Sequence, residues 1–167
     1  MSFEEEIVDI VDENDSVIGS INRKDEIYGK HILRSASIYV INSENKLLLQ
    51  LRSKTSPKYP LHWDMSGAGH VDSGESYENC AKRELFEEVG LRVGDLEELG
   101  KHQFTLDGGR KRISVCFKTK IEDLELNVDT VEVADAKWFS LEEIRNMLHS
   151  DEKFHPENVY WLKKYFL

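Results

Sequence analysis

Apolar and polar positions in the first fifty residues follow the pattern of paired β-strands. Residues 6–11 and 16–21 are rich in Val and Ile, and the acidic and amide residues between them predict the turn of a hairpin. Residues 36–41 and 46–51 repeat the pattern around Asn-Ser-Glu-Asn and predict a second β pair. The N-terminal part of the chain is therefore expected to be β-rich, with the first hairpin over about residues 6–21.

The middle of the chain contains the start and stop signals of an α-helix. Ser76 is a suitable N-cap for a helix over residues 77–89, and Gly90 stands where a left-handed residue ends a helix. Ahead of it, Pro57 and Pro60 remove backbone donors and predict a loop over residues 53–62.

The last third of the chain predicts more strands and then two helices. Residues 103–106 and 113–117 flank Asp-Gly-Gly and predict a third hairpin, and residues 136–139 predict another strand. A capping-box spacing that starts at Ser140 predicts a helix over residues 141–148.

The chain ends on a further helix and shows no break between domains. Proline is favoured in the first turn of a helix, and Pro156 predicts a helix over residues 156–166. No repeat or linker interrupts the pattern, so residues 1–167 are expected to form one domain in which helices pack on a mixed sheet.

Composition narrows the possible partners and location. The 167 residues include 22 Lys and Arg against 32 Asp and Glu, a net charge of −10, which disfavours a nucleic acid polymer as partner. The apolar runs are too short to cross a bilayer, and the acidic first residues do not resemble a secretory signal, so we expect a cytoplasmic protein. Cys80 and Cys116 lack metal-ligand spacing and are expected to be reduced, partly buried thiols.

Three carboxylates share one face of the predicted central helix. Glu84, Glu87 and Glu88 stand at i, i+3 and i+4, and like charges at this spacing need a compensating positive group. One interpretation is a Mg²⁺ site open to a phosphate ligand, because this cation prefers oxygen ligands and keeps positions for water and phosphate. The alternative is a solvated acidic face, which is common on helices.

The segment around this face resembles a family motif. Residues 69–91 match the Nudix box: Gly, five residues, Glu, seven residues, Arg-Glu, an aliphatic residue, any residue, Glu-Glu, any residue, Gly and an aliphatic residue. The chain is therefore similar to the Nudix hydrolases. The resemblance implies an α/β (α+β) fold, with an α/β/α sandwich, a mixed central sheet and a loop–helix–loop metal site.

The same resemblance implies which residues carry the chemistry. The implied ligands of Mg²⁺ or Mn²⁺ are Glu84, Glu87, Glu88 and the carbonyl group of Gly69. The cation would neutralise a substrate diphosphate and lower the pKa of a bound water, whose proton a carboxylate takes as the water attacks phosphorus. Glu87 and Glu132 are the candidate bases, and Glu84 is a further catalytic carboxylate; the alternative for Glu132 is a surface loop charge.

Other residues of the box have implied structural roles. Arg83 and Glu75 would form the ion pair that holds the loop onto the helix, whereas Arg83 taken alone would be a solvated charge. Gly69 and Gly90 would occupy positions of backbone constraint.

Outside the box, the chain resembles the Nudix branch that includes isopentenyl diphosphate isomerase. The resemblance runs through residues 11–19 and 45–53, Trp63 and the pair Gly69-His70, and covers most of the first ninety residues. The isomerase needs a cysteine where this chain has Ala68, and a histidine where it has Leu33 with His31 nearby. We therefore expect a hydrolase of a small-molecule diphosphate, such as a nucleoside diphosphate linked to another moiety. An isomerase-like enzyme and a non-catalytic diphosphate-binding module are the alternatives.

Four further residues are candidate substrate contacts: Arg52, His70, Tyr59 and Trp63. A guanidinium binds phosphate bidentately, although a surface ion pair is an equal alternative for Arg52. His70 is a candidate for contact with metal or substrate, and its alternative is a hydrogen-bonding loop residue. The two aromatic residues are candidates for a pocket wall or for the core. The sequence leaves the oligomeric state open, with a homodimer as one candidate.

Overall fold

The structure is a computed structural model that describes residues 6–122 and 125–167. The strands are β1 (Ile7–Val11), β2 (Val17–Asn22), β3 (Ile32–Ile41), β4 (Leu47–Arg52), β5 (Trp63–Asp64), β6 (Gly67–His70), β7 (Glu97–Thr105), β8 (Lys111–Lys120) and β9 (Val133–Phe139). The helices are α1 (Tyr77–Val89), α2 (Leu141–Leu148) and α3 (Pro156–Tyr165). Among residues 6–122 and 125–167, none of the helices has the length and hydropathy of a membrane span. Residues 1–5, which entered the prediction of a cytoplasmic location, lie outside the described residues.

Strand β3 is at the centre of a mixed sheet. It runs parallel to β8 from Ile32↔Lys111 to Ile41↔Lys120, and antiparallel to β1 and β6. Strand β4 pairs antiparallel with β5 and β9, β7 pairs antiparallel with β8, and β2 pairs antiparallel with β1. The mixed sheet predicted from the sequence is confirmed.

The two faces of β3 belong to two different apolar cores. Ala36, Ile38 and Val40 pack in the cluster that contains the buried face of α1. Tyr39 lies between them in sequence and packs in the cluster that contains residues of α2 and α3. Because side chains alternate across a strand, this arrangement places one helical layer on each side of the sheet. The α/β/α sandwich is therefore confirmed.

All three predicted β pairs are present, but the second is much shorter than predicted. Strands β3 and β4 are joined by the predicted turn, yet they pair only at Ile41↔Leu47. The remaining edges of β3 are occupied by β8, β1 and β6, and β4 instead pairs with β9 and β5. A strand buried on both faces takes partners from distant segments, and local turn chemistry does not reveal them.

Both ends of α1 match the sequence prediction. The Ser76 hydroxyl oxygen accepts a hydrogen bond from the Asn79 amide at 3.1 Å, so it satisfies one free amide of the first turn. Gly90 has φ of +77° and ends the helix in the left-handed conformation, and a Cβ there would lie 2.7 Å from Cβ of Asn127. Local signals alone fix the helix that carries the three glutamates.

The two cysteines are free, as predicted, but they are more deeply buried than expected. Cys80 on α1 and Cys116 on β8 are both 0% exposed and belong to the apolar clusters on either side of the sheet. Burial raises the pKa of both thiols, which favours the neutral form.

Candidate active site

A cleft of about 900 Å³ gathers most of the predicted site residues. Its lining includes β6, one face of α1, the loop before β5, the start of β8 and the loop before β9. A second cavity of about 530 Å³ lies beside α2 and α3 and contains none of the predicted site residues. The candidate chemistry is therefore concentrated in the larger cleft.

The acidic wall of this cleft consists of Glu84, Glu87 and Glu88, where α1 lies against β6. A Cβ at Gly69 would overlap the Glu84 carboxyl group, so this position needs glycine for close approach rather than for its φ angle. The amide of Ala68 donates a hydrogen bond of 2.9 Å to Oε1 of Glu88. Strand β6 and helix α1 thus fix the buried carboxylates against each other.

The compensating charge on this wall is Arg83. Its Nε and Nη2 donate to the two carboxylate oxygens of Glu75 at 2.8 and 2.9 Å, so the ion pair implied by the resemblance is present. Its Nη1 donates to Glu84 at 2.8 Å and to Glu87 at 3.4 Å. Nη2 also donates to the carbonyl of His70 at 3.1 Å, which ties the loop to the strand that precedes it. One guanidinium therefore links the loop, β6 and the acidic wall.

The carboxyl groups of Glu75, Glu84 and Glu88 differ in the direction of their pKa shifts. Burial opposes the shift, but hydrogen bonds from Arg83 hold the pKa of Glu75 below its ordinary value. Burial raises the pKa of Glu84 to about 8, and the neighbouring Glu87 adds to the shift. Burial also raises the pKa of Glu88, which is 7% exposed, and the charge of Glu84 raises it further. Ionisation of Glu84 and Glu88 is therefore costly, although Arg83 donates a hydrogen bond to Glu84.

The donor chemistry of this wall suits a hard divalent cation, although it is not a finished cage. Within residues 6–122 and 125–167, no three His, Cys, Asp or Glu side chains are arranged to hold a metal ion as they stand. Mg²⁺ does not need such a cage, because it is bound through few carboxylates together with water and substrate phosphate. A cation beside Glu84 and Glu88 would favour their ionised forms, which burial disfavours. The residues present thus fit Mg²⁺ or Mn²⁺.

Glu132 lies on the loop before β9 and lines the same cleft. The carbonyl oxygen of Glu132 accepts a hydrogen bond from the Ser53 amide at 3.0 Å, which anchors this loop to the end of β4. Partial burial and then the carboxylates of Asp129 and Glu87 raise its pKa. The structure therefore brings both candidate bases, Glu87 and Glu132, to one cleft.

Arg52 and His70 both line the cleft, each with a protein partner. Arg52 Nη1 donates to Asp64 at 3.0 Å, so the ion pair considered as an alternative exists within the site itself. His70 Nε2 accepts a hydrogen bond from Arg112 at 3.2 Å, and burial followed by nearby arginine charges lowers its pKa well below the ordinary value. His70 is therefore held as a neutral hydrogen-bond acceptor.

The two aromatic candidates do not line the cleft. Trp63 is 6% exposed, packs on Phe139 with ring centroids 5.1 Å apart and donates from Nε1 to Glu152 at 3.0 Å, so it belongs to the core. Tyr59 stands beside the cleft, with its ring 4.5 Å from that of His155. Trp63 therefore takes the core alternative, and a contact between Tyr59 and the substrate stays a prediction from the sequence.

Sequence reasoning missed a second wall at the start of β8. This basic wall consists of Arg110 and Arg112, which line the cleft and are 7% and 3% exposed. Arg112 pairs through both terminal nitrogens with Glu26, and Nη2 lies 2.9 Å from Oε1. Arg110 precedes β8 and the charged Lys111 lies between the two arginines, so no alternation of polar and apolar residues marks this wall in the sequence.

Glu157 at the start of α3 was also missed. It is 5% exposed, lines the cleft and accepts a hydrogen bond from the Ser114 hydroxyl at 3.1 Å. Burial raises its pKa to about 7, and Asp64 adds to the shift. A glutamate in the first turn of a helix is typical of a capping charge, so the sequence does not reveal this position.

Comparisons with known proteins give one consistent family. Residues 31–162 match the model of the NUDIX domain. A protein of Pseudomonas aeruginosa named as a Nudix hydrolase is 31% identical over 93% of this chain and 93% of its own length. The chloroplastic isopentenyl-diphosphate Delta-isomerase I of Arabidopsis thaliana is also 31% identical, over 89% of this chain and 58% of that protein. The crystal structure of DR0079 from Deinococcus radiodurans has a TM-score of 0.83 at 22% identity, and the match covers 97% of this chain and 100% of that one.

Proposed function

The chain belongs to the Nudix hydrolase family, and we propose that it uses Mg²⁺ or Mn²⁺ to cleave the diphosphate linkage of a small phosphorylated substrate. The observation that carries this proposal is the acidic wall, where Glu84, Glu87 and Glu88 line one cleft, with Glu88 buried and Glu84 largely buried against β6. Buried carboxylates that are costly to ionise are better explained by a cation than by solvation.

The residues of the wall have distinct roles in this proposal. Glu84, Glu87 and Glu88 hold the cation, and the carbonyl of Gly69 on the facing strand is the fourth candidate ligand. A bound Mg²⁺ or Mn²⁺ supplies charge neutralisation of the diphosphate and lowers the pKa of a water molecule. Arg83 positions the wall by joining it to Glu75.

A carboxylate must accept the proton of the attacking water. Glu132 suits this role, since its raised pKa favours proton uptake and it lies on a loop of the cleft without an ion pair to a described residue. Glu87 is the second candidate, although its carboxylate lies 3.4 Å from Arg83. The reaction then needs no proton carrier outside the cleft.

An isomerase would need a proton carrier at each of two positions where this chain has an apolar side chain. Ala68 on β6 has no ionisable group, and Leu33 is 0% exposed in the core. His31 accepts a hydrogen bond from the Ile27 amide at 2.9 Å and does not line the cleft. A hydrolase therefore fits the site better than an enzyme that moves protons at carbon.

Three broader features belong to the same proposal. We treat the whole chain as one domain, because β1 joins the N-terminal hairpin to β3 of the matched region. A cytoplasmic location and a homodimer stay predictions from the sequence.

The test is a panel of nucleoside and non-nucleoside diphosphates that includes isopentenyl diphosphate, assayed with Mg²⁺ or Mn²⁺ and with excess chelator. We expect phosphorus–oxygen cleavage for at least one compound, loss of cleavage with chelator, and ¹⁸O from labelled water in a phosphate product. Formation of dimethylallyl diphosphate without cleavage of any panel member would overturn the hydrolase proposal. Binding without turnover of any compound would favour the non-catalytic module.

A further inference from the structure

Arg110 differs from the other arginines of the cleft in its lack of an acidic partner. Arg23, Arg52, Arg83 and Arg112 each form an ion pair with a carboxylate. Among the described residues, no carboxylate forms an ion pair with Arg110, and the nearby Glu157 accepts its hydrogen bond from Ser114 instead. Within the described chain, the guanidinium charge of Arg110 is thus not compensated by an ion pair.

The hydrogen bonding of Arg110 is also incomplete. Its Nε donates to the carbonyl of Asp107 at 3.3 Å, but Nη2 is buried and has no hydrogen-bond partner. The other two buried polar side-chain atoms without partners in the described residues, on Ser37 and Trp161, do not belong to residues that line the cleft. A buried donor without an acceptor destabilises the fold, and more so when it is charged, so its presence calls for an explanation.

The surroundings fix the position of this guanidinium. The amide of Leu106 donates to the Arg110 carbonyl at 2.7 Å and closes the turn before β8. The ring of Tyr59 lies 5.9 Å from the guanidinium carbon. Burial lowers the pKa of the neighbouring His155, and the charges of Arg52 and Arg110 add to this effect. A neutral histidine does not compete with Arg110 for an anion.

We propose that the guanidinium of Arg110 binds a terminal phosphate group of the substrate. This inference rests on the proposed function and adds a specificity determinant to it. A phosphomonoester end presents several charged oxygens to a guanidinium fork, whereas an uncharged organic group leaves the buried cation unpaired. The acidic wall and Arg110 thus recognise different phosphate groups of one substrate, and the enzyme prefers diphosphates with a free terminal phosphate.

Calorimetric titration with methylenediphosphonate, a diphosphate that cannot be hydrolysed, tests this inference at constant Mg²⁺. Arg110→Met removes the fork with little loss of volume, Arg110→Lys keeps the charge, and Arg92→Met is the matched control. Arg92 is exposed, packs on Phe86 and does not line the cleft. We expect Arg110→Met to bind roughly 10- to 100-fold more weakly, Arg110→Lys to recover part of the affinity, and Arg92→Met to bind as the wild type.

A second readout separates ligand binding from a structural role. Replacement of a buried unpaired charge by an apolar group is neutral or stabilising, so the melting temperature of Arg110→Met should stay the same or rise. With a substrate from the panel, KM should increase more than kcat falls.

Several results would overturn the proposal. These are wild-type affinity in Arg110→Met, an equal loss in Arg92→Met, absence of binding by the wild type, or a lower melting temperature in Arg110→Met. The titration does not depend on turnover, so a failure of the hydrolase proposal in the panel is a separate result.

Discussion

The acidic wall and the basic wall of the cleft are assembled in different ways. Glu84, Glu87, Glu88, Arg83 and Glu75 all come from one continuous segment, and Arg83 compensates its neighbours within that segment. The two arginines of the basic wall also come from one segment, but their compensation is not local: Arg112 pairs with Glu26, 86 residues earlier in the chain, and Arg110 has no ion pair with a described residue. A wall whose compensating charge lies in the same segment can be recognised in a sequence, whereas a wall whose compensating charge is remote becomes visible only in the fold.

The largest expected effect is the loss of turnover when a carboxylate of the acidic wall is neutralised. Glu87→Gln or Glu88→Gln keeps the shape of the side chain but removes a cation ligand, so activity should fall by about 10²–10⁴-fold. Steady-state assays with Mg²⁺ or Mn²⁺ measure this. Glu78→Gln, on the exposed first turn of the same helix, is the matched control and should keep its activity.

The thermal stability of Glu88→Gln, unlike its activity, should not fall. Burial raises the pKa of this carboxyl, so Glu88→Gln should melt at the same or a higher temperature than the wild type without a divalent cation. With the cation added, only the wild type should gain stability. Equal Mg²⁺-dependent activity in wild type and variant would contradict the assignment of the acidic wall.

Next in size is the effect of Arg83, which we expect to act on both architecture and activity. Arg83→Ala removes a bidentate ion pair that is partly exposed, and should lower the free energy of unfolding by about 1–3 kcal/mol together with activity. Lys82→Ala is the control, because Lys82 makes only an exposed pair with Glu78 at 3.4 Å. Denaturant unfolding and activity assays on both variants check this. Unchanged unfolding of Arg83→Ala would show that the pair does not hold the loop.

The two walls were predictable to different extents for physical reasons. Helix α1 was predicted from Ser76 to Gly90 because its caps are local hydrogen-bonding and φ requirements. The pairing of β3 with β8 was not predicted, since parallel partners are chosen by burial and lie far apart in sequence. The sequence also does not reveal which side chains face the cleft. Arg110 lines it and was missed, whereas Trp63 was a candidate for substrate contact and packs in the core.

The carboxyl group of Glu157, at the start of α3, should make the stability of the fold depend on pH, whereas an exposed carboxyl group should not. Burial raises the pKa of Glu157 from 4.5 to about 7, so between these values the unfolded chain releases a proton that the folded chain keeps. By linkage, this group therefore makes the fold less stable as pH rises through that window, by roughly 3 kcal/mol in total.

Removal of the ionisable group should abolish this contribution. The free energy of unfolding of Glu157→Gln, relative to that of the wild type, should therefore increase as the pH is raised from 5 to 8. Denaturant unfolding at both pH values measures this. Glu142→Gln on the exposed face of α2 is the control and should follow the wild type. If Glu157→Gln showed the same pH dependence as the wild type, Glu157 would not be protonated in the fold at neutral pH.

The smallest expected effect is that of the helix N-caps. It tests whether the acidic wall keeps its geometry when the N-cap of its own helix is removed. Ser76 and Ser140 are N-caps of α1 and α2, and each hydroxyl oxygen accepts a hydrogen bond of 3.1 Å from an amide of the first turn. Ser76→Ala and Ser140→Ala should each cost about 1 kcal/mol of stability. Glu84 lies two turns beyond Ser76 and is held by Arg83 and β6, so fraying at the cap should leave kcat unchanged in both variants. A large loss of activity in Ser76→Ala alone, measured beside thermal unfolding, would show that the order of the preceding loop contributes to the chemistry as well as to the fold.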